Sequence, residues 1–158
     1  MEIIKPLTLN EIECAIAKYF GTRQNIIVPN ISYGFDCHEC DLFILKKSGY
    51  ATEVEIKRSK SDLKADYKKK HQHKDNRVSE LYFAIPSNLY SECKDLVPED
   101  AGILTVDKYK GNVVVWTERK PKWNKEARKL TEQEHYTIAR LGAMRIWNLK
   151  KKLIQNGL

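Results

Sequence analysis

Two runs rich in β-branched and aromatic residues, 40–46 and 50–57, are separated by only Lys47-Ser48-Gly49. Few chain paths join two strands across so short a gap. A three-residue loop ending in glycine suits a hairpin made from a type I turn plus a bulge, because the last loop position takes a left-handed backbone that glycine adopts without strain. A hairpin centred on Ser48 sets Asp41 opposite Glu55 and Glu39 opposite Lys57, with opposed Cβ atoms about 4.5–5.5 Å apart.

Side chains alternate faces along a strand. Tyr50, Thr52, Val54 and Ile56 therefore read as a core face, and Glu53, Glu55 and Lys57 as the opposite one. Two carboxylates placed face to face repel and weaken a sheet. A divalent cation between Asp41 and Glu55 would remove that repulsion, since hard cations take oxygen ligands and keep positions for water and phosphate. Lys57, two residues on, points to the same side and could orient a water or meet charge developing on a phosphate. The plainer reading is an ordinary half-buried sheet with its charges outward and Glu39–Lys57 as a surface ion pair.

Helical spacing of Leu9, Ile12, Ile16 and Tyr19/Phe20 predicts a first helix over 8–20, capped by Thr8 and stopped by Gly21. A strand is expected at 25–28, ended by Pro29, with a loop over 32–38. A helix is expected at 60–70, and a charged loop at 71–78. Strands are expected at 81–85, 103–106 and 113–117, with a short helix at 88–96. Residues 118–129 read as a basic linker. Residues 131–154 read as a long helix with Ile138, Leu141, Ile146, Leu149 and Leu153 as its apolar positions. Helices interleaved with strands argue an α/β chain with a mixed sheet, in one domain.

No apolar run approaches the ~20 residues of a membrane span, and the first residues lack a signal-peptide core. The cytoplasm is the expected location. Cys37-His38-Glu39-Cys40 has the spacing of half a zinc site, but no second half accompanies it, so free thiols in a reducing compartment are expected.

The formal charge is +7, which favours polyanionic partners. Its distribution is sharper than its total. Lys57, Arg58, Lys60, Lys64, Lys68, Lys69, Lys70, Lys74 and Arg77 crowd into one stretch with His71 and His73. Lys60, Lys64 and Lys68 fall on one helix face. Arg58, Lys60, Lys64, Lys68, Lys69, Lys70, His71 and His73 are the candidate nucleic-acid contacts, directly after the carboxylate pair. Without a ligand the same helix is a solvated face, partly balanced by Glu53, Asp62 and Asp66. Trp116 and Trp147 fall in apolar patterns and read as packing residues. Trp123, between Lys122 and Lys125, is the exposed tryptophan suited to base stacking.

Asp41 followed by Glu55-Ile56-Lys57 resembles the D…(D/E)-x-K signature of the PD-(D/E)XK nuclease superfamily. The surrounding Glu39-Cys40-Asp41-Leu42, Val54-Glu55-Ile56-Lys57, Ser61-Asp62-Leu63-Lys64-Ala65-Asp66, Leu81-Tyr82-Phe83-Ala84-Ile85-Pro86 and 97–104 are similar to small DNA-repair and phage-type members, including MmcB-like proteins. Cys40 stands where the signature has proline. The resemblance implies a restriction-endonuclease-like αβββαβ core over 8–107, then a strand and basic linker over 108–130 and a helical extension over 131–158. It implies an endodeoxyribonuclease using Mg²⁺ or Mn²⁺, with Asp41, Glu55 and the Ile56 carbonyl as ligands and Lys57 assisting the attacking water. A first-helix glutamate commonly completes such sites. Glu13 is the choice here, sharing a face with Ile16 and Phe20, and Glu11 is the alternative. DNA is the expected partner, and a homodimer would suit cutting of both strands. A catalytically silent DNA- or RNA-binding module on the same fold is the alternative function.

Overall fold

The chain runs α1 (Leu9–Phe20), β1 (Ile26–Ile31), β2 (Cys40–Leu45), β3 (Ala51–Ile56), α2 (Lys60–Tyr67), β4 (Val78–Pro86), α3 (Tyr90–Cys93), β5 (Gly102–Tyr109), β6 (Asn112–Arg119) and α4 (Glu132–Gln155). The computed structural model describes residues 5–31, 35, 39–67 and 75–158. The expected loop at 32–38 falls almost wholly outside them, as do Cys37 and the stretch 68–74.

The hairpin closes in the expected register. Leu42 faces Val54, Phe43 faces Glu53, Ile44 faces Thr52 and Leu45 faces Ala51. Gly49 has φ +90° and donates to the Lys46 carbonyl at 2.9 Å. Among the described residues six strands form one sheet in sequence order, with β3–β4 and β4–β5 parallel and the other pairs antiparallel. Together with the flanking helices this is the expected α/β architecture with a mixed sheet and a long C-terminal helix.

Both long helices start on the same device. Thr8 Oγ1 accepts from Glu11 N–H at 3.2 Å while Glu11 accepts from Thr8 N–H at 2.8 Å, and Thr131 and Glu134 repeat the arrangement at α4. Each box satisfies backbone donors that a helix start leaves open. α1 then buries Ile12, Ala15 and Ile16 against Leu42, Ile44, Val54, Ile56 and Leu104 on one face of the sheet. On the other face α4 lays Ile138 and Leu141 over Phe43, Leu45 and Ala51. Beyond them Leu63 of α2, Cys93 and Val97 pack on Phe83 and Ile85.

β3 is therefore covered on both faces, and every one of its residues is buried. Glu53 is 1 % and Glu55 5 % exposed, which corrects the reading of their face as a solvated one. β1 does not end at Pro29 but continues to Ile31, because it lies at the edge of the sheet, where a residue without an N–H is tolerated. The expected helix at 88–96 is a four-residue α turn between two 3₁₀ turns. In α4 the apolar pattern outruns the core. Ile146, Leu149 and Leu153 are exposed, and so are Trp116 and Trp147, which were expected to pack. Cys14 is exposed and Cys93 buried, both as free thiols. Among the described residues no helix is long and apolar enough to cross a membrane.

Candidate active site

Asp41 and Glu55 come from the paired strands β2 and β3, close enough for the Asp41 charge to act on Glu55. The Asp41 carboxylate accepts the Ile56 N–H at 2.7 Å, which fixes its orientation across the β2–β3 pair. Glu55 lies beside Phe83 in the β3–β4 register, and Glu53 beside Phe43. Lys57 follows β3 directly and its N–H bonds the Ala84 carbonyl at 2.9 Å, so the lysine leaves the strand from a fixed point.

Lys57 Nζ stands 3.0 Å from Glu55 Oε2 and 3.0 Å from Asp66 Oδ1. Asp66 comes from α2, one helical turn after the buried Leu63, so the packing of Leu63 turns Asp66 inward too. Glu55 Oε1 is buried and has no hydrogen-bond partner, and the same holds for Glu13 Oε1. A buried, unanswered carboxylate oxygen is costly.

The electrostatics report the same crowding. Burial, then the charges of Glu53 and Asp41, push the Glu55 carboxyl up to about 8, against the pull of Lys57. Burial raises Asp41 above its ordinary range, although the Ile56 N–H and Lys57 oppose this. Burial and then Asp41 raise Glu13, against a hydrogen bond from Asn30. Burial works against the Lys57 ammonium, but Glu55 and Asp66 outweigh it and hold the lysine above its usual pKa.

The two first-helix glutamates have separate tasks. Glu11 is taken by the Thr8 cap and an ion pair with Lys108 at 3.2 Å. Glu13 is turned toward Asn30 and feels Asp41. Among the described residues no three His, Cys, Asp or Glu side chains are grouped so as to hold a metal ion. A cation here would rest on Asp41 and Glu55 and leave its other positions open, as Mg²⁺ sites commonly do.

Of the basic stretch, Arg58, Lys60 and Lys64 are described and solvent-accessible. Arg58 donates to the Leu7 carbonyl at 3.4 Å and Lys60 pairs with Glu92 at 3.5 Å. Lys68, Lys69, Lys70, His71 and His73 lie outside the described residues. Sequence spacing did not single out Asp66 as the second partner of Lys57. Its i+3 position after Leu63 was the available signal. Asn30 was missed as well. It has φ +53°, and its carbonyl accepts from Arg145 of α4, a long-range contact no local pattern announces.

Residues 7–152 match the family described as DNA repair protein MmcB-like. No curated protein matches the chain. Among solved structures, a protein of unknown function from Silicibacter pomeroyi superposes with a TM-score of 0.65 at 16 % identity. The match covers 99 % of this chain and 96 % of that one, and at that identity the likeness concerns the fold.

Proposed function

We propose, from the premise that the chain belongs to the MmcB-like family of DNA repair proteins, that it is a metal-dependent nuclease of the PD-(D/E)XK type acting on DNA. The observation behind this is the buried Glu55 with the half-buried Asp41 and Lys57 beside it, one Glu55 oxygen being left without a partner. A merely structural ion pair would not need an orphaned oxygen or a second carboxylate pressed against it.

The donor set fits a hard divalent cation. Asp41, Glu55 and the Ile56 carbonyl would hold Mg²⁺ or Mn²⁺, with Glu13 behind Asp41. When bound, such an ion polarises a phosphoryl oxygen and lowers the pKa of water beside it. The chain's own residues do the positioning. The Ile56 N–H keeps Asp41 aimed. Lys57, kept charged by Glu55 and Asp66, presents its ammonium where an attacking water or a phosphate oxygen would sit. Arg58, Lys60 and Lys64 lie just beyond and supply phosphate contacts.

The test is cleavage of a panel of labelled DNAs, single-stranded, duplex and branched, in Mg²⁺, Mn²⁺ and EDTA. Wild type would be compared with Asp41→Asn and Lys57→Met. Metal-dependent cutting lost in both variants is the expected result. DNA binding without cutting under either metal would move the assignment to a silent binding module.

A further inference from the structure

The segment expected to be a basic linker is a strap. Lys122 N–H bonds the Asp100 carbonyl at 2.8 Å, Asn124 N–H the Ser79 carbonyl at 2.9 Å, Arg128 N–H the Asn76 carbonyl at 2.8 Å and Leu130 N–H the Gly49 carbonyl at 2.9 Å. The Asn124 side-chain amide adds bonds to the Val78 and Asp75 carbonyls at 3.0 and 3.4 Å. These acceptors stand at or just before the starts of β3, β4 and β5. The strap thus crosses the sheet end opposite Ile56 and Lys57, about 20 Å away along β3 at ~3.3 Å per residue.

Trp123 sits on this strap and is 49 % exposed. Its ring centroid lies 4.9 Å from that of Tyr50 with the planes at 74°. An edge contact leaves at least one indole face uncovered by Tyr50. Lys129 Nζ lies 5.7 Å from the Tyr50 ring centroid, and its stem packs at Gly49. The aromatic pair is therefore held by backbone bonds on the strap side and by the hairpin turn on the other.

The charge around it is one-sided. Residues 120–130 carry Lys120, Lys122, Lys125, Arg128 and Lys129 against Glu126 alone, and Lys47 stands on the adjoining turn. Lys122 is answered by Asp100 at 3.0 Å and Arg128 by Glu134 at 2.8 Å. Lys47, Lys120, Lys125 and Lys129 are exposed, with no carboxylate paired to them among the described residues.

An exposed indole face on a rigid mount, ringed by unpaired ammonium groups, has the chemistry of a base-stacking platform. The faces of bases inside a duplex are covered by their neighbours, so such a platform meets unpaired bases. We propose that the strap is a binding site for single-stranded DNA, with Trp123 stacked on a base and Lys47, Lys120, Lys125 and Lys129 meeting the phosphates around it. This rests on the DNA reading above and names the substrate class: DNA with an unpaired stretch. It does not depend on cleavage.

Binding of a labelled oligothymidylate of about 15 nucleotides would be measured by anisotropy on the full chain in EDTA. A duplex and an oligouridylate of the same length serve as comparisons. Trp123→Ala is expected to weaken the single strand about tenfold, the scale of one stacked base, while Trp123→Phe restores most of it and duplex affinity barely moves. Lys120→Glu combined with Lys125→Glu is a second variant that leaves the aromatic pair in place. It is expected to weaken the single strand and flatten its salt dependence. Unchanged single-strand affinity in both variants, or equal losses on duplex, would overturn the site, and a loss confined to oligouridylate would overturn its assignment to DNA. Because nothing is cut in EDTA, a failure here and a failure of the nuclease reading appear in separate assays.

Discussion

Replacing Glu55 with glutamine should remove most of the pH dependence of stability from the metal-free protein. The folded state holds the Glu55 proton up to about pH 8, whereas an unfolded glutamate releases it near the ordinary value of 4.5. Between these limits the folded chain binds more protons than the unfolded one, so the free energy of unfolding falls as pH rises. The loss is absent below about pH 4.5 and complete above about pH 8. The interval of roughly 3.5 pH units at ~1.36 kcal/mol each gives about 5 kcal/mol. That loss is shared with Glu53 and Asp41, whose charges help to create it.

Glutamine keeps the shape and the neutral state at every pH, and Lys57 retains Asp66. In EDTA the wild type should therefore lose several kcal/mol between pH 5 and 9, measured as a falling urea midpoint followed by tryptophan fluorescence. The variant should fall much less, keeping only the contributions of Asp41 and Glu13, which burial also raises. Adding Mg²⁺ at pH 8 should raise the wild-type midpoint and leave the variant unmoved, because a ligand stabilises only the state that binds it. Parallel pH profiles for the two proteins would refute the placement of an uncompensated carboxylate at Glu55.

Lys57→Met strands Glu55 and Asp66 without their shared cation. Its cost should be about 3 kcal/mol by urea unfolding at pH 8, smaller at pH 5 where Glu55 holds its proton. Gly102→Ala puts a Cβ 2.6 Å from the Tyr82 ring and 2.9 Å from the Arg119 carbonyl, and should cost about 1–3 kcal/mol, read as a fall in melting temperature. Thr131→Ala opens the cap of α4 and should cost about 1 kcal/mol in the same assay, whereas Thr131→Ser should be nearly neutral.

The hairpin was legible because its determinants are local. Three loop residues with Gly49 last admit one register, and that register carries Asp41 to Glu55. The helix starts were legible for the same reason, since Thr8 with Glu11 and Thr131 with Glu134 are each three residues apart. What the sequence hid is set by partners far along the chain. Whether Glu53 and Glu55 face water depends on Leu63, Ile138 and Leu141 arriving from α2 and α4, and alternation within β3 carries no information about that. The end of the buried stripe on α4 was hidden likewise. Ile146, Leu149 and Leu153 keep the spacing of Ile138 and Leu141, but they lie toward the end of α4 and are exposed, outside the buried cluster on the sheet.

The shifts around the site have a common sense that separates two accounts of it. Glu13, Asp41 and Glu55 are all raised, and Lys57 is raised as well. In a balanced structural ion network the carboxylates would be lowered by their cation while the lysine was raised. Here burial comes first in raising all three acids and the crowded carboxylates add to it, so Lys57 alone does not keep Glu55 ionised. A positive charge beside Glu55 would offset both effects. Without a cation that is the proton on Glu55, which is why the proposed metal should compete with that proton. Apparent Mg²⁺ affinity should then rise with pH toward about 8 and level off above it, a dependence that an exposed, adventitious carboxylate pair would show only near its ordinary pKa.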